Sequence, residues 1–343
     1  MNRPYMTVIL VAFVVPHAVA CSSEWPKDAD VLSGPGATPT TSFSVTDIAP
    51  KPTAEADAPK PAPTATAEAV DIPSDMLGVP GGTFIMGSDR IGEGDEQPAH
   101  RVTVAPFLLD RTEVTNAAYH ECEEAGACRP HDTQSSVDNG FGPDEAFRTP
   151  DRPVSGVSHA DAEAFCAWKG KRLPTEAEWE RAARGADHRR YPWGDFAAEP
   201  RFAVYGGVIT EDVGSRPDGA GPYGHLDLAG NVWEWVADLY DPYAYRRPTA
   251  DRGIPGTCPQ IKAAQEELRR KMLFGFTGKN PIPDGCDYVL RGGAFNYGGP
   301  GLRAANRVHH PGTFRLVMSG FRCAGDWPGG PVDPPEERAA PDE

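Results

Sequence analysis

Three short helix signals, each with a capping residue at its start and a glycine at its stop, sit in a chain otherwise dense in Gly, Pro and aromatic residues. Thr115 can cap a helix that runs to Glu124 and halts at Gly126. Ser158, with Asp161 three residues on, opens a second that ends at Gly170. Thr175 and Glu178 form a T-x-x-E capping box after Pro174, and this third helix carries Trp179, Ala182 and Ala183 on adjacent turns before Gly185. A fourth pattern covers Ile261 to Leu273. Apolar and polar residues alternate in Thr83–Gly87 and Arg101–Val104, which reads as two strands. The 37 Gly and 36 Pro lie well above average usage, and no internal repeat is present. The expected fold is α+β and loop-rich, a single globular domain of short strands and long ordered loops.

That domain should occupy residues 75–327. Residues 21–74 are Ala, Pro, Thr, Glu and Asp with few large apolar side chains. Such a stretch cannot bury enough surface to offset its ordering entropy, and its prolines make it an extended spacer. The tail, 328–343, is expected to be disordered for the same reason. At the other end, Arg3 precedes an apolar run, Met6–Val15, that is too short to span a bilayer. It leads to Ala18-Val19-Ala20-Cys21, a small-residue cleavage pattern, so 1–20 reads as a signal peptide. The pattern is also similar to a lipobox, which would make Cys21 the lipidated first residue of the mature chain. The competing reading is an ordinary cleavage site with Cys21 a bystander. Lipidation fits the count: of seven Cys, six then remain, an even number suited to an oxidising compartment. The expected location is the bacterial cell envelope, periplasmic or surface-facing, with the lipid bilayer held through Cys21. The net charge of −16 repels phosphate backbones and argues against a nucleic-acid partner.

Four segments carry motifs. The first joins Gly81-Gly82-Thr83-Phe84-Ile85-Met86-Gly87-Ser88 to Glu113-Val114-Thr115-Asn116. The second includes Arg172-Leu173-Pro174-Thr175-Glu176-Ala177-Glu178-Trp179-Glu180 and Tyr191-Pro192-Trp193-Gly194. The third is Asp227-Leu228-Ala229-Gly230-Asn231-Val232-Trp233-Glu234-Trp235. The fourth runs from Leu290-Arg291-Gly292-Gly293 to Gly320-Phe321-Arg322-Cys323. In this order and spacing they resemble the formylglycine-generating, or sulfatase-modifying-factor, family across essentially the whole block. The resemblance implies a fold related to C-type lectins. It also extends to groups similar to the sulfoxide synthases of ergothioneine synthesis and a pyoverdine-maturation protein.

The family's copper chemistry needs two Cys shortly after the R-G-G string, because soft thiolates hold soft Cu(I) and leave room for a substrate thiol. The positions that match here are Tyr297 and Leu302, and Ala294–Arg307 contains no Cys. A phenol and an isobutyl group cannot replace two thiolates, so copper is not expected. The resemblance implies a Cys166–Cys323 disulfide. Cys122 and Cys128 flank the turn at Gly126, where a local bridge suits the spacing, and Cys258 with Cys286 would then pair by elimination. Six Cys allow fifteen connectivities, and a thiolate metal site is the other reading, although no C-x-x-C is present.

The resemblance further implies a calcium ion held by Asp227, Gly230, Val232 and Glu234; hard oxygens on an ordered loop suit Ca²⁺. A plain turn at Gly230-Asn231 beside core tryptophans is the alternative. A second family calcium site lacks its Asn in Arg201–Tyr205. His100, His159, His309 and His310 could bind iron, or serve as structural residues. Arg291, Arg303, Arg307 and Arg322 could bind an acidic group, or brace carbonyls and carboxylates. The expected function is a tethered binding module that is not catalytic for formylglycine formation. Its cleft would be formed by Asn296, Tyr297, Arg303 and Arg307, for a peptide, glycan or envelope protein. The alternative is an oxidoreductase of the same superfamily acting on sulfur with another metal.

Overall fold

The capping signals act as the sequence predicts. In a computed structural model describing residues 72–89, 91–247, 250, 256–263 and 286–333, Thr115 caps helix α1, Asn116–Glu124, through Ala118 N–H. Reciprocal capping boxes, Ser158 with Asp161 and Thr175 with Glu178, open α3, His159–Trp168, and α4, Glu176–Arg184. Each satisfies amides that the first helical turn leaves without partners. Between α1 and α3 a single turn, α2, Ser135–Asp138, forms without a sequence signal. Residues 258–263 are helical. The remainder of the helix expected over Ile261–Leu273 lies outside the described residues, as do the signal peptide, Cys21 and nearly all of the spacer.

The strands are short. β1, Met76–Val79, and β9, Ala324–Asp326, flank β4, Phe107–Asp110, both antiparallel to it. β2, Gly82–Met86, and β3, His100–Val104, form a two-stranded ribbon. The third sheet runs β7-β6-β5-β8, with β5 at Trp233–Leu239, β6 at Asp287–Arg291, β7 at Val308–Pro311 and β8 at Ser319–Gly320. Its β5–β8 pair is parallel, and β5–β6 shifts register between Trp235 and Leu239.

Helix α4 holds two of these layers together. Trp179, Ala182 and Ala183 are fully buried against Val79, Phe107, Leu109, Val236 and Val289. A fully buried side chain of this kind contributes roughly 1.5–3 kcal/mol. A second core gathers Tyr119, Phe165, Trp233, Trp235 and Phe321 between α1, α3 and β5.

One boundary differs from expectation. Residues 328–333, read as tail, lie along the domain: Gly81 N–H donates to Pro331 O at 2.9 Å, and Asp333 N–H donates to Gly81 O at 2.8 Å. The Asp333 carboxylate pairs with Arg181, whose guanidinium is buried. A buried cation requires a counter-ion. That need gives this Pro-rich stretch a fixed place despite its lack of periodicity.

Candidate functional site

The segment from Gly293 to Arg307 connects β6 to β7. Gly293 has φ +84°, and a Cβ there would stand 2.6 Å from Leu302 Cδ2, so close chain approach and positive φ both require glycine. Tyr297 is half-buried; its ring meets Trp233 edge-on at 5.2 Å, and its carbonyl accepts from Gly206 N–H at 2.9 Å. Leu302 is fully buried among Tyr191, Ala203 and Ala229. The two positions expected to hold thiolates are therefore packed with ring and aliphatic carbon. The Cys residues of the described segments form disulfides: Cys122–Cys128, Cys166–Cys323 and Cys258–Cys286.

The four arginines singled out from sequence are braces. Arg291 reaches Glu176 Oε1 at 3.2 Å, pairs with Glu180 and holds the carbonyls of Ala304 and Ala305. Arg307 forks Glu176 at 2.6 and 2.9 Å between the rings of Tyr240 and Tyr245. Arg303 forks Glu96, and Arg322 forks Glu234 at 2.7 and 2.8 Å. Each carboxylate is buried, which makes these pairs costly to break from one side. This corrects the expected cleft: Arg307 is buried and spoken for, while Arg303 keeps only an edge toward solvent. Asn296 is half-buried, with Nδ2 directed at Met318 Sδ, 3.9 Å away.

Sequence reading missed the counter-ions Glu96, Glu176 and Glu180. For Glu176 and Glu180 the signal lay in the R-L-P-T-E-A-E-W-E string. Glu176 and Glu180 are one helical turn apart, on the same inward-facing helix as Trp179.

The histidines disperse. His309 Nδ1 lies 2.6 Å from Asp287 Oδ2 with its ring stacked on Tyr240, and His310 stacks on Phe314. His159 is buried against Tyr288, with Nε2 3.0 Å from Val236 O, and His100 Nδ1 is 3.1 Å from Pro98 O. Among the described residues, no three His, Cys, Asp or Glu side chains converge as a metal centre.

The calcium loop fits a cation only in part. Asp227, at φ 56°, accepts from Gly214 N–H at 2.5 Å and lies beside Glu113, whose buried Oε1 has no hydrogen-bond partner. Burial and the neighbouring Asp227 push the Glu113 carboxyl well above the usual range. An orphaned carboxyl oxygen beside a second carboxylate is a place where a proton or a cation relieves repulsion. Glu234 is already engaged. Both its oxygens face the Arg322 fork, and Trp179 Nε1 donates to Oε2 at 2.9 Å. A cation held by Asp227, Gly230, Val232 and Glu234 together would have to share the Glu234 carboxylate with the Arg322 guanidinium.

Two further buried groups set a pH dependence. Burial, reinforced by Glu176, raises the Asp238 carboxyl to about 7; its Oδ2 accepts the Glu176 N–H at the start of α4. Burial, reinforced by Arg322, lowers His225 to about 3. Asp238 contributes stability that is fully present below its unfolded value near 3.9 and lost as pH rises through about 7. His225 contributes stability that is present above about 6.5 and lost as pH falls toward about 3. Between roughly pH 4 and 6.5 the slopes oppose. Relative to the parent, Asp238→Asn should lose stability as pH falls through this window, and His225→Asn should lose it as pH rises. Urea midpoints across the range check this; parallel curves for both variants would show that neither group is shifted.

Short strands, capped helices and long loops braced by buried arginine–carboxylate pairs define an α+β scaffold of the formylglycine-generating type. Its loop after β6 carries Tyr297 and Leu302, and the Cys residues of the described segments are held in disulfides. The chain belongs to the family of the sulfatase-modifying factor enzyme 1-like domain, whose model matches residues 61–327. It is similar to the hercynine oxygenase of Mycolicibacterium smegmatis, 32 % identical over 280 residues, covering 72 % of this chain. The chain spans 60 % of that protein's length. It is also similar to the mouse (Mus musculus) protein named inactive C-alpha-formylglycine-generating enzyme 2, 37 % identical over 220 residues, covering 49 % of this chain and 70 % of the relative. Among solved structures, PvdO from Pseudomonas aeruginosa shares the fold with a TM-score of 0.54 at 24 % identity, covering 74 % of this chain and 94 % of PvdO.

Proposed function

We propose that this domain does not make formylglycine through copper and serves as a binding module for a peptide, glycan or protein partner. One observation supports the reading: Tyr297 and Leu302, the residues we match to the family's two thiolates, pack against ring and aliphatic carbon, and among the described residues every Cys is in a disulfide. The scaffold is otherwise intact, with its braces and disulfides in place. The family includes a relative whose name calls it inactive, which is consistent with a non-catalytic role. The reading includes export and tethering through Cys21, with the Pro-rich spacer holding the domain off the bilayer. Anaerobic titration of Cu(I) against a competing chelator tests the central claim, followed by oxygen and a peptide of the sulfatase type, C-x-P-x-R. No tight Cu(I) binding and an unchanged peptide mass are expected. Conversion of the peptide Cys would overturn the proposal.

The hercynine oxygenase relative favours a second reading, an oxidoreductase acting on sulfur with another metal. Near-stoichiometric iron in the purified protein would support it over the binding module.

A further inference from the structure

A cavity of about 500 Å³ opens beside the chain that follows Leu302, and its wall carries Arg184, Arg190 and Arg303 with Asp195 as the one carboxylate. A basic wall is unexpected in a chain of net charge −16. Two of its three guanidiniums are occupied. Arg184 is fixed on Glu180 and on the carbonyls of Gly87 and His188, and Arg303 is fixed on Glu96. Arg190 is different: its side chain is exposed and its guanidinium makes no ion pair among the described residues.

The backbone beneath Arg190 is fixed. Its N–H donates to Asp195 Oδ1 at 2.8 Å, and its carbonyl accepts from Ala304 N–H at 2.9 Å. The next residue, Tyr191, begins a stack in which Trp193 lies 4.9 Å away at 4° and Phe202 lies 5.1 Å beyond Trp193 at 9°. A braced loop therefore holds one uncommitted guanidinium at the rim of a cavity whose other arginines are held by carboxylates and carbonyls. A guanidinium recognises carboxylate and phosphate alike, through two parallel hydrogen bonds. The volume suits a small organic molecule better than a bare ion.

We propose that this cavity binds an oxyanion-bearing small molecule, a carboxylate or a phosphate ester, with Arg190 as the residue that pairs with the anionic group. The site stands whether or not the Tyr297 loop is catalytic. Calorimetric titration of the folded protein at low salt tests it, with inorganic phosphate in one arm and malonate in the other. Saturable binding in either arm is expected, and the arm that saturates more tightly identifies the group. Arg190→Gln should weaken it about ten- to a hundredfold, the worth of one charge-assisted pair. Arg189→Gln, which removes a neighbouring cation already paired with Asp187, should leave it unchanged. Absence of saturation in both arms, or equal affinity in parent and Arg190→Gln, would overturn the proposal.

Discussion

Arg322→Ala should destabilise the domain by about 3–5 kcal/mol, read as a fall in its guanidinium midpoint. Glu234 is fully buried, and Arg322 supplies both of its charge-assisted bonds. Without Arg322 the carboxylate keeps only Trp179 Nε1. The carbonyls of Asp110, Arg111 and Leu226 lose a shared donor at the same time. Replacing both partners with methionine should recover part of the loss, because a packed apolar pair needs no counter-ion, while the three carbonyls and Trp179 Nε1 still lack their partners. A loss below about 1 kcal/mol would mean that Glu234 has another positive partner. Recovery of the variant by added calcium would identify that partner and return Glu234 to the ligand set.

The second large effect concerns the disulfides. Cys166–Cys323 closes a loop of 157 residues, whereas Cys122–Cys128 closes one of six. Chain entropy assigns the long bridge about 5 kcal/mol and the short one about 2. Double alanine variants of each, compared by urea denaturation, should rank in that order. The long bridge also ties α3 to the approach of β9, so its loss should loosen the three-stranded sheet first. Equal losses from both variants would show that local strain, not loop closure, sets their worth.

What could be read from the chain was local. Thr115, Ser158 and Thr175 announce their helices because a cap is a contact across three residues, and all three act as such. The family strings located the loop after β6 and the positions of Tyr297 and Leu302. What could not be read was pairing over long separations. Arg303 finds Glu96 207 residues away and Arg307 finds Glu176 131 residues away, so two arginines offered as cleft residues turn inward. Arg190 drew no notice because nothing in its neighbours says that its guanidinium stays free. The strap at 328–333 was hidden for a related reason: its place is set by one buried cation and one glycine carbonyl, without any hydrophobic period.

The braces bear on how such a sequence can drift. Glu176 answers both Arg291 and Arg307, and Glu180 answers both Arg291 and Arg184. Loss of Glu176 alone strands Arg307, and loss of Glu180 alone strands Arg184, each a barrier of several kcal/mol, whereas loss of Arg291 alone leaves both carboxylates paired. The two carboxylates are therefore the positions hardest to change alone. Tyr297 is half-buried against Trp233, whereas Leu302 is fully buried among Tyr191, Ala203 and Ala229, so truncating Leu302 costs about 2–5 kcal/mol. Drift in such a scaffold therefore starts at its half-buried loop positions, ahead of its interior carboxylates.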